Sequence, residues 1–212
     1  MTIIDITMPL REGKTTYPSV PPLNVKWLRR LEDGNNVSLS MISMVVHLGT
    51  HVDAPAHVLQ KGTLIDDLEL ENMIGKSRVI DVSEQLPITK DLLKSQLREQ
   101  IAGKIILLKT GYINYLETGG EFNTNYPYME EDAADFLVKS SVKIVGVDTP
   151  NVDRYGDKSM RIHKKLLGSG VIVIENLRLH HITPGNYKFI GLPIYIKGVE
   201  AAPLRAILFS KI

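Results

Sequence analysis

The stretch Lys104-Ile105-Ile106-Leu107-Leu108-Lys109 is apolar at four consecutive positions, and that decides the fold class. A strand with one face in water alternates apolar and polar residues, whereas a run apolar on both faces suits a strand buried inside a sheet. Working outward, Gly103 closes a helix that starts after a Thr89 cap and carries Leu92, Leu93, Leu97 and Ile101 on one face through about residue 101. Before it, Val79–Val82 reads as a strand, and Leu64–Met73 has a weak helical spacing ended by Gly75.

Downstream, Gly119-Gly120 and Asn123–Pro127 read as a loop, with Tyr112, Tyr115, Tyr126 and Tyr128 around it. A helix over Met129–Lys139 leads to a second buried strand, Val142–Val147, which ends in Asp148-Thr149-Pro150. Ser159 is placed to cap a short helix carrying Ile162, His163, Leu166 and Leu167, closed by Gly168. Strand Val171–Ile174 follows with Glu175 at its carboxyl end, where open sheets place functional groups. Phe189–Ile196 and Leu204–Phe209 complete the sheet. The first third is richer in strands: Ile3–Ile6, Val25–Leu28 and Asn36–Met44. The expected architecture is α/β, a single domain over residues 1–212 with a central mixed β-sheet flanked by helices.

Composition narrows the function classes. Twenty-five Lys and Arg against 24 Asp and Glu, with no block of one sign, argue against nucleic acid as a partner. The apolar runs have strand length, far short of a membrane span, and the start Met1-Thr2-Ile3-Ile4-Asp5 lacks the features of a signal peptide, so a cytoplasmic protein is expected. With no cysteine, only nitrogen and oxygen donors are available to a metal.

One segment, His47-Leu48-Gly49-Thr50-His51-Val52-Asp53-Ala54-Pro55-Ala56-His57, holds three of the six histidines. If it is extended, side chains alternate faces, so His47, His51 and Asp53 project to one side and Gly49 leaves room there for an ion. In a helix the carboxylate would swing to the far side. Pro55 breaks regular pairing, so His57 falls near the cluster but in a loop. Imidazole and carboxylate together suit Zn²⁺ or Mn²⁺ better than Ca²⁺ or Mg²⁺.

The segment resembles the signature His-x-Gly-Thr-His-x-Asp-x-Pro-x-His of the cyclase family of metal-dependent hydrolases, which includes bacterial kynurenine formamidase (arylformamidase) and isatin hydrolase. The similarity extends to Asp5-Ile6-Thr7-Met8-Pro9-Leu10, Asp148-Thr149-Pro150, Glu175-Asn176-Leu177 and Pro203-Leu204-Arg205-Ala206. The resemblance implies a swivelling β/β/α-like fold and a first metal on His47, His51 and Asp53. It implies a second metal bridged by Asp53 and held by a later histidine and glutamate, for which His163 and Glu175 are the matching candidates. Alone, a helical histidine is commonly a surface or core residue, and a glutamate after an apolar strand is commonly a solvated strand end. It is the resemblance that implies a ligand role for them.

The implied activity is hydrolysis of an amide, as in an arylformamidase acting on N-formylkynurenine, by a metal-activated hydroxide with His57 as general acid/base. Two Zn²⁺ per subunit are implied, with Mn²⁺ as the alternative metal. A single-Mn²⁺ hydrolase of a cyclic amide or lactone and a non-catalytic metal-binding module are the competing readings. Tyr17 matches the position where formamidases carry a Trp against the substrate ring. The resemblance also implies a homo-oligomer, a dimer or tetramer. Arg161 lies near His163, and the adjacent His180-His181 pair points opposite ways on a strand, so it is left out of the site.

Overall fold

The computed structural model describes residues 2–83, 86–97, 100–117 and 121–210. Among the described residues, ten strands and four α-helices follow one another as β1 (Ile3–Asp5), β2 (Asn24–Arg29), β3 (Leu39–Ser43), β4 (His51–Asp53), β5 (Ile74–Asp81), α1 (Lys90–Gln96), β6 (Ile105–Lys109), α2 (Tyr112–Glu117), α3 (Glu131–Lys139), β7 (Ile144–Val147), α4 (Arg161–Gly168), β8 (Ile172–Glu175), β9 (Gly185–Pro193) and β10 (Ala201–Phe209). Eight strands form one mixed sheet in the order β1-β10-β4-β8-β7-β6-β5-β9, and a further β10–β9 pairing closes it into a barrel. Strands β5 to β8 run parallel, while β4, β9 and β10 are antiparallel to their neighbours.

The apolar strands are buried on both faces because each face has its own core. Ile105 and Leu107 of β6, Ile144 of β7, and Ile172 and Ile174 of β8 fill the barrel with Val52, Phe189 and Leu208. Their alternate neighbours Ile106, Leu108, Val145, Val147 and Val173 pack outward against Leu93 of α1, Ala133, Ala134 and Leu137 of α3, and Ile162 and Leu166 of α4. The period of two therefore survives within each strand, although a second apolar layer hides it in the sequence.

Several boundaries differ from expectation. The Leu64–Met73 segment forms two 3₁₀ turns, Ile65–Asp67 and Leu70–Met73, and Gly75 lies inside β5 rather than ending a helix. Helix α1 stops at Gln96, although its Thr89 cap is present, with the side chain accepting from Leu92 N at 3.3 Å. Gly119-Gly120 falls outside the described residues. Ser159 does not cap α4: its hydroxyl donates to Asp157, and Met160 occupies the cap position in a left-handed conformation. Strands β2 and β3 pair only with each other, as a separate antiparallel arm. No described helix is long and apolar enough to cross a membrane.

The largest correction concerns the histidine-rich segment. Only residues 51–53 are strand; residues 47–50 turn, and Gly49 has φ +69°. A Cβ at Gly49 would also come 2.4 Å from Leu10 Cδ2. Gly49 thus serves the chain reversal and the close approach of Leu10, rather than making space for an ion.

Candidate metal centre

The centre lies on the outer face of the barrel, between strands β4 and β8 and helix α4. Since Val52 and Ile174 point into the barrel, His51, Asp53 and Glu175 must point out of it. Register sets His51 directly opposite Glu175. Helix α4 places His163 over the pair: Nε2 of His163 is 3.3 Å from Asp53 Oδ2 and 3.2 Å from Glu175 Oε1. His47 arrives through the turn before β4, with Nδ1 3.0 Å from Asp53 Oδ1. His51 Nε2 lies 3.4 Å from that same oxygen and 3.6 Å from Glu175 Oε2. The two oxygens of Asp53 therefore face two donor sets, Oδ1 towards His47 and His51, Oδ2 towards His163.

Each imidazole is fixed from behind. His51 Nδ1 is 2.9 Å from the Gly49 carbonyl, His163 Nδ1 is 2.6 Å from Asp153 Oδ2, and His47 Nε2 is 3.2 Å from Glu200 Oε1. An acceptor at the rear nitrogen makes that nitrogen the donor and leaves the other lone pair facing the cluster, the arrangement that metal-ligating histidines use. Asp153 and Glu200 carry no local sequence pattern. Each lies far along the chain from the Asp53 segment, and only the fold brings it to its histidine.

The donor atoms fit a divalent cation. His51 Nε2 and both oxygens of Asp53 are buried without hydrogen-bond partners, which is costly unless something else satisfies them. The ligand atoms of His51, Asp53 and Glu175, and those of His47, Asp53 and His57, form two groups within 4.8 Å. Separations of 3.0–3.6 Å between donors match the roughly 3.3 Å edge of a tetrahedron with bonds of about 2.0–2.1 Å.

Electrostatics point the same way. Burial works against charge on His51, but the Asp53 and Glu175 carboxylates outweigh it and lift the imidazole to about 9. His163 is likewise raised by Asp153, Asp53 and Glu175 against the effect of burial. Burial would push Asp53 upward, yet the surrounding imidazoles hold it well below the usual carboxylate range. The pocket demands positive charge. His57 behaves oppositely: burial drives it down to about 4, Asp53 opposing and the neighbouring imidazoles adding to the fall.

His57 sits in a 3₁₀ turn, Pro55–His57, with its ring centroid 4.3 Å from that of His47 and 5.4 Å from that of His163. It lies near the cluster, as its position in the sequence suggested, and the segment after Ala54 is a short 3₁₀ turn. Tyr17 packs edge-on against Phe122 (5.4 Å) and near Tyr155 (5.7 Å). Arg161 pairs with Asp157 at 3.2 Å on the surface. Asp148 is spent on structure, accepting from Thr110 N, Thr110 Oγ1 and Gly111 N.

Residues 4–154 match the Cyclase family model. The chain belongs to the cyclase family. Among its relatives, the kynurenine formamidase of Bacillus cereus is 33% identical over 207 residues, 97% of this chain and 96% of that one. A solved structure described as a potential metal-dependent hydrolase with cyclase activity is 31% identical and superposes with a TM-score of 0.85 over 100% of this chain and 98% of that one. Isatin hydrolase A from Labrenzia aggregata, at 21% identity, shares the fold, with a TM-score of 0.85 over 98% of this chain and 93% of the other. In this cyclase-family member the segment from His47 to His57 lies within the matched residues, whereas His163 and Glu175 lie beyond them.

Proposed function

We propose that the chain is a metal-dependent amidohydrolase of the arylformamidase type, hydrolysing N-formylkynurenine or a closely similar aryl formamide. The observation that carries this reading is the double-faced Asp53, each of whose oxygens meets its own set of imidazole donors. The similarity to kynurenine formamidase over nearly the whole chain supplies the substrate class.

His47, His51 and Asp53 would hold one ion, and Asp53, His163 and Glu175 a second; Zn²⁺ is the favoured metal and Mn²⁺ the alternative. When bound, such ions polarise a carbonyl and bring the pKa of water towards neutrality. His57, neutral at working pH, accepts the proton released as the carbonyl is attacked and returns it to the departing amine nitrogen, a role usually worth about 10² to 10⁴ in rate. Tyr17, in an aromatic cluster with Phe122 and Tyr155, would stack on the aryl group.

A single-Mn²⁺ hydrolase of cyclic amides or lactones is the second reading, favoured by the shared fold of isatin hydrolase. Reconstituting the protein separately with Zn²⁺ and Mn²⁺ and screening N-formylkynurenine, isatin and small lactones decides between them. Hydrolysis of the formamide alone supports the first reading. Hydrolysis of isatin or a lactone alone supports the second, and none of the three supports a non-catalytic metal-binding module.

Residues 1–212 act as one domain in this reading, a cytoplasmic homo-oligomer. The sharing of β10 between the N-terminal strand and the barrel supports the first point. The bare apolar arm supports the second, since Trp27, Leu39, Met41 and Ile42 remain 47–61% exposed.

A further inference from the structure

The imidazoles of the centre do not all face it with the same nitrogen. His51 and His163 turn Nε2 towards the carboxylates and are held behind at Nδ1, by the Gly49 carbonyl at 2.9 Å and by Asp153 at 2.6 Å. His47 is reversed: its Nδ1 lies 3.0 Å from Asp53 Oδ1, and its Nε2 lies 3.2 Å from Glu200 Oε1. The main chain fastens Glu200 from both sides. Its own carbonyl accepts from Ala54 N at 2.9 Å, Val199 before it accepts from Ile65 N at 3.0 Å, and Ala201 after it is in register with Asp53. The segment that carries the Glu200 carboxylate is therefore tied to the ligand strand β4 itself.

The two halves of the centre also differ in access. On the inner side, His163 and the Asp153 behind it are 1% and 2% exposed; on the outer side, His47 and Glu200 are 23% and 41% exposed. A buried imidazole is held by the packing around it as well as by its rear acceptor. A partly exposed one depends more on that acceptor, because the hydrogen bond at one ring nitrogen decides whether the other offers a lone pair.

We infer that Glu200 is the positioning residue of the outer ion: by accepting from His47 Nε2 it keeps the Nδ1 lone pair turned to the Asp53 side, and so sets the affinity of the ion held by His47, His51 and Asp53. The ion held by Asp53, His163 and Glu175 does not depend on it. The outer ion is accordingly the weaker of the two and the first to leave. This rests on the two-ion reading of the centre.

The test compares wild type with Glu200→Ala, which removes the acceptor, and Glu200→Gln, which keeps an oxygen acceptor and removes the charge. Each protein is stripped with a chelator and titrated with Zn²⁺ against a chromophoric competitor, and the thermal midpoint of the stripped protein is recorded. Nitrogen-15 spectra of the histidine rings are taken at each equivalent. The inference expects wild type to bind two equivalents of unequal affinity. The spectrum of a ring bound through Nδ1 with its proton on Nε2 appears with the second equivalent. In Glu200→Ala the weaker ion loses about 10- to 100-fold in affinity, the tighter ion and the midpoint are unchanged, and Glu200→Gln recovers most of the loss.

Equal titrations of wild type and Glu200→Ala overturn the inference, because water then serves His47 as well as the carboxylate does. Weakening of both ions, or a lowered midpoint, overturns it by making Glu200 a structural residue. So does a Glu200→Gln protein as weak as Glu200→Ala, since charge rather than position is then the cause, or an Nδ1-bound ring at the first equivalent. If wild type takes up one ion and Glu200→Ala weakens it, the two-ion reading falls and the role of Glu200 stands. A wild type that binds no ion overturns both.

Discussion

Asp153 grips His163 with the same carboxylate that closes the first turn of helix α4. One oxygen lies 2.6 Å from His163 Nδ1 and 3.1 Å from the His163 amide, and the other accepts from Ile162 N at 2.8 Å. Helix start and imidazole orientation are thus set by one side chain, which rotates His163 Nε2 towards Asp53 and Glu175. Replacing Asp153 with Asn keeps the size but weakens both functions. The expected outcome is a 10- to 100-fold loss of metal affinity, measured by competition with a chelator, and about 0.5–2 kcal/mol of stability lost in denaturant melts. Unchanged affinity would reduce Asp153 to a helix cap.

Gly62 controls the turn that carries His57. A Cβ there would fall 2.3 Å from the carbonyl carbon of Pro55 and 2.4 Å from Ala56 N, so the backbone of residues 55–56 must move. Gly62→Ala is expected to cost about 1–3 kcal/mol and to lower kcat at least tenfold. Metal content should persist, because the ligands proposed on β4, β8 and α4 lie outside that turn. Metal loss on this substitution would tie the turn to ion binding instead.

Asp148 gives a pH signature separate from the metal centre. Burial pushes its carboxyl up to about 6, with the hydroxyl and two amide donors limiting the rise. A folded pKa above the unfolded one means that the contribution of this group to stability is fully present below about 3.8 and shrinks as pH rises through about 6, by about 3 kcal/mol in all. The stability lead of wild type over Asp148→Asn should therefore be larger at pH 4.5 than at pH 7.5 in paired denaturant melts. The opposite trend would show that the donors hold the carboxylate ionised. Asn also sets an amide group against one of those donors, so the substitution should cost about 1–3 kcal/mol near neutrality.

His57→Ala separates proton transfer from ion binding. The expected protein keeps its metal and loses about 10²- to 10⁴-fold in kcat. Its place in a donor group with His47 and Asp53 makes the measurement decisive. Loss of one metal equivalent would make His57 a ligand.

Much of this was legible in the chain because two of its patterns are local. Apolar runs at 105–108 and 144–147 announced strands covered on both faces, and the barrel core and the helices supply the two covers. The period of two correctly put His51 and Asp53 on one face. It failed for His47, because a glycine at φ +69° turns the chain between them and His47 reaches Asp53 by that turn. Sequence could not show the barrel closure, which depends on β10 pairing with both β4 and β9. Nor could it reveal Asp153 or Glu200, whose histidine partners are set by tertiary contacts. Ser159 illustrates the limit of cap rules: its hydroxyl is taken by Asp157, while an aspartate from farther upstream caps the helix.

The central claim is a two-ion centre that hydrolyses an aryl formamide. Its most direct test is titration of chelator-stripped protein with Zn²⁺, and separately with Mn²⁺, while N-formylkynurenine hydrolysis is followed. The account predicts no turnover without metal and activity that saturates at two equivalents per chain. Hydrolysis that persists in stripped protein, or two ions bound with no hydrolysis, would contradict it.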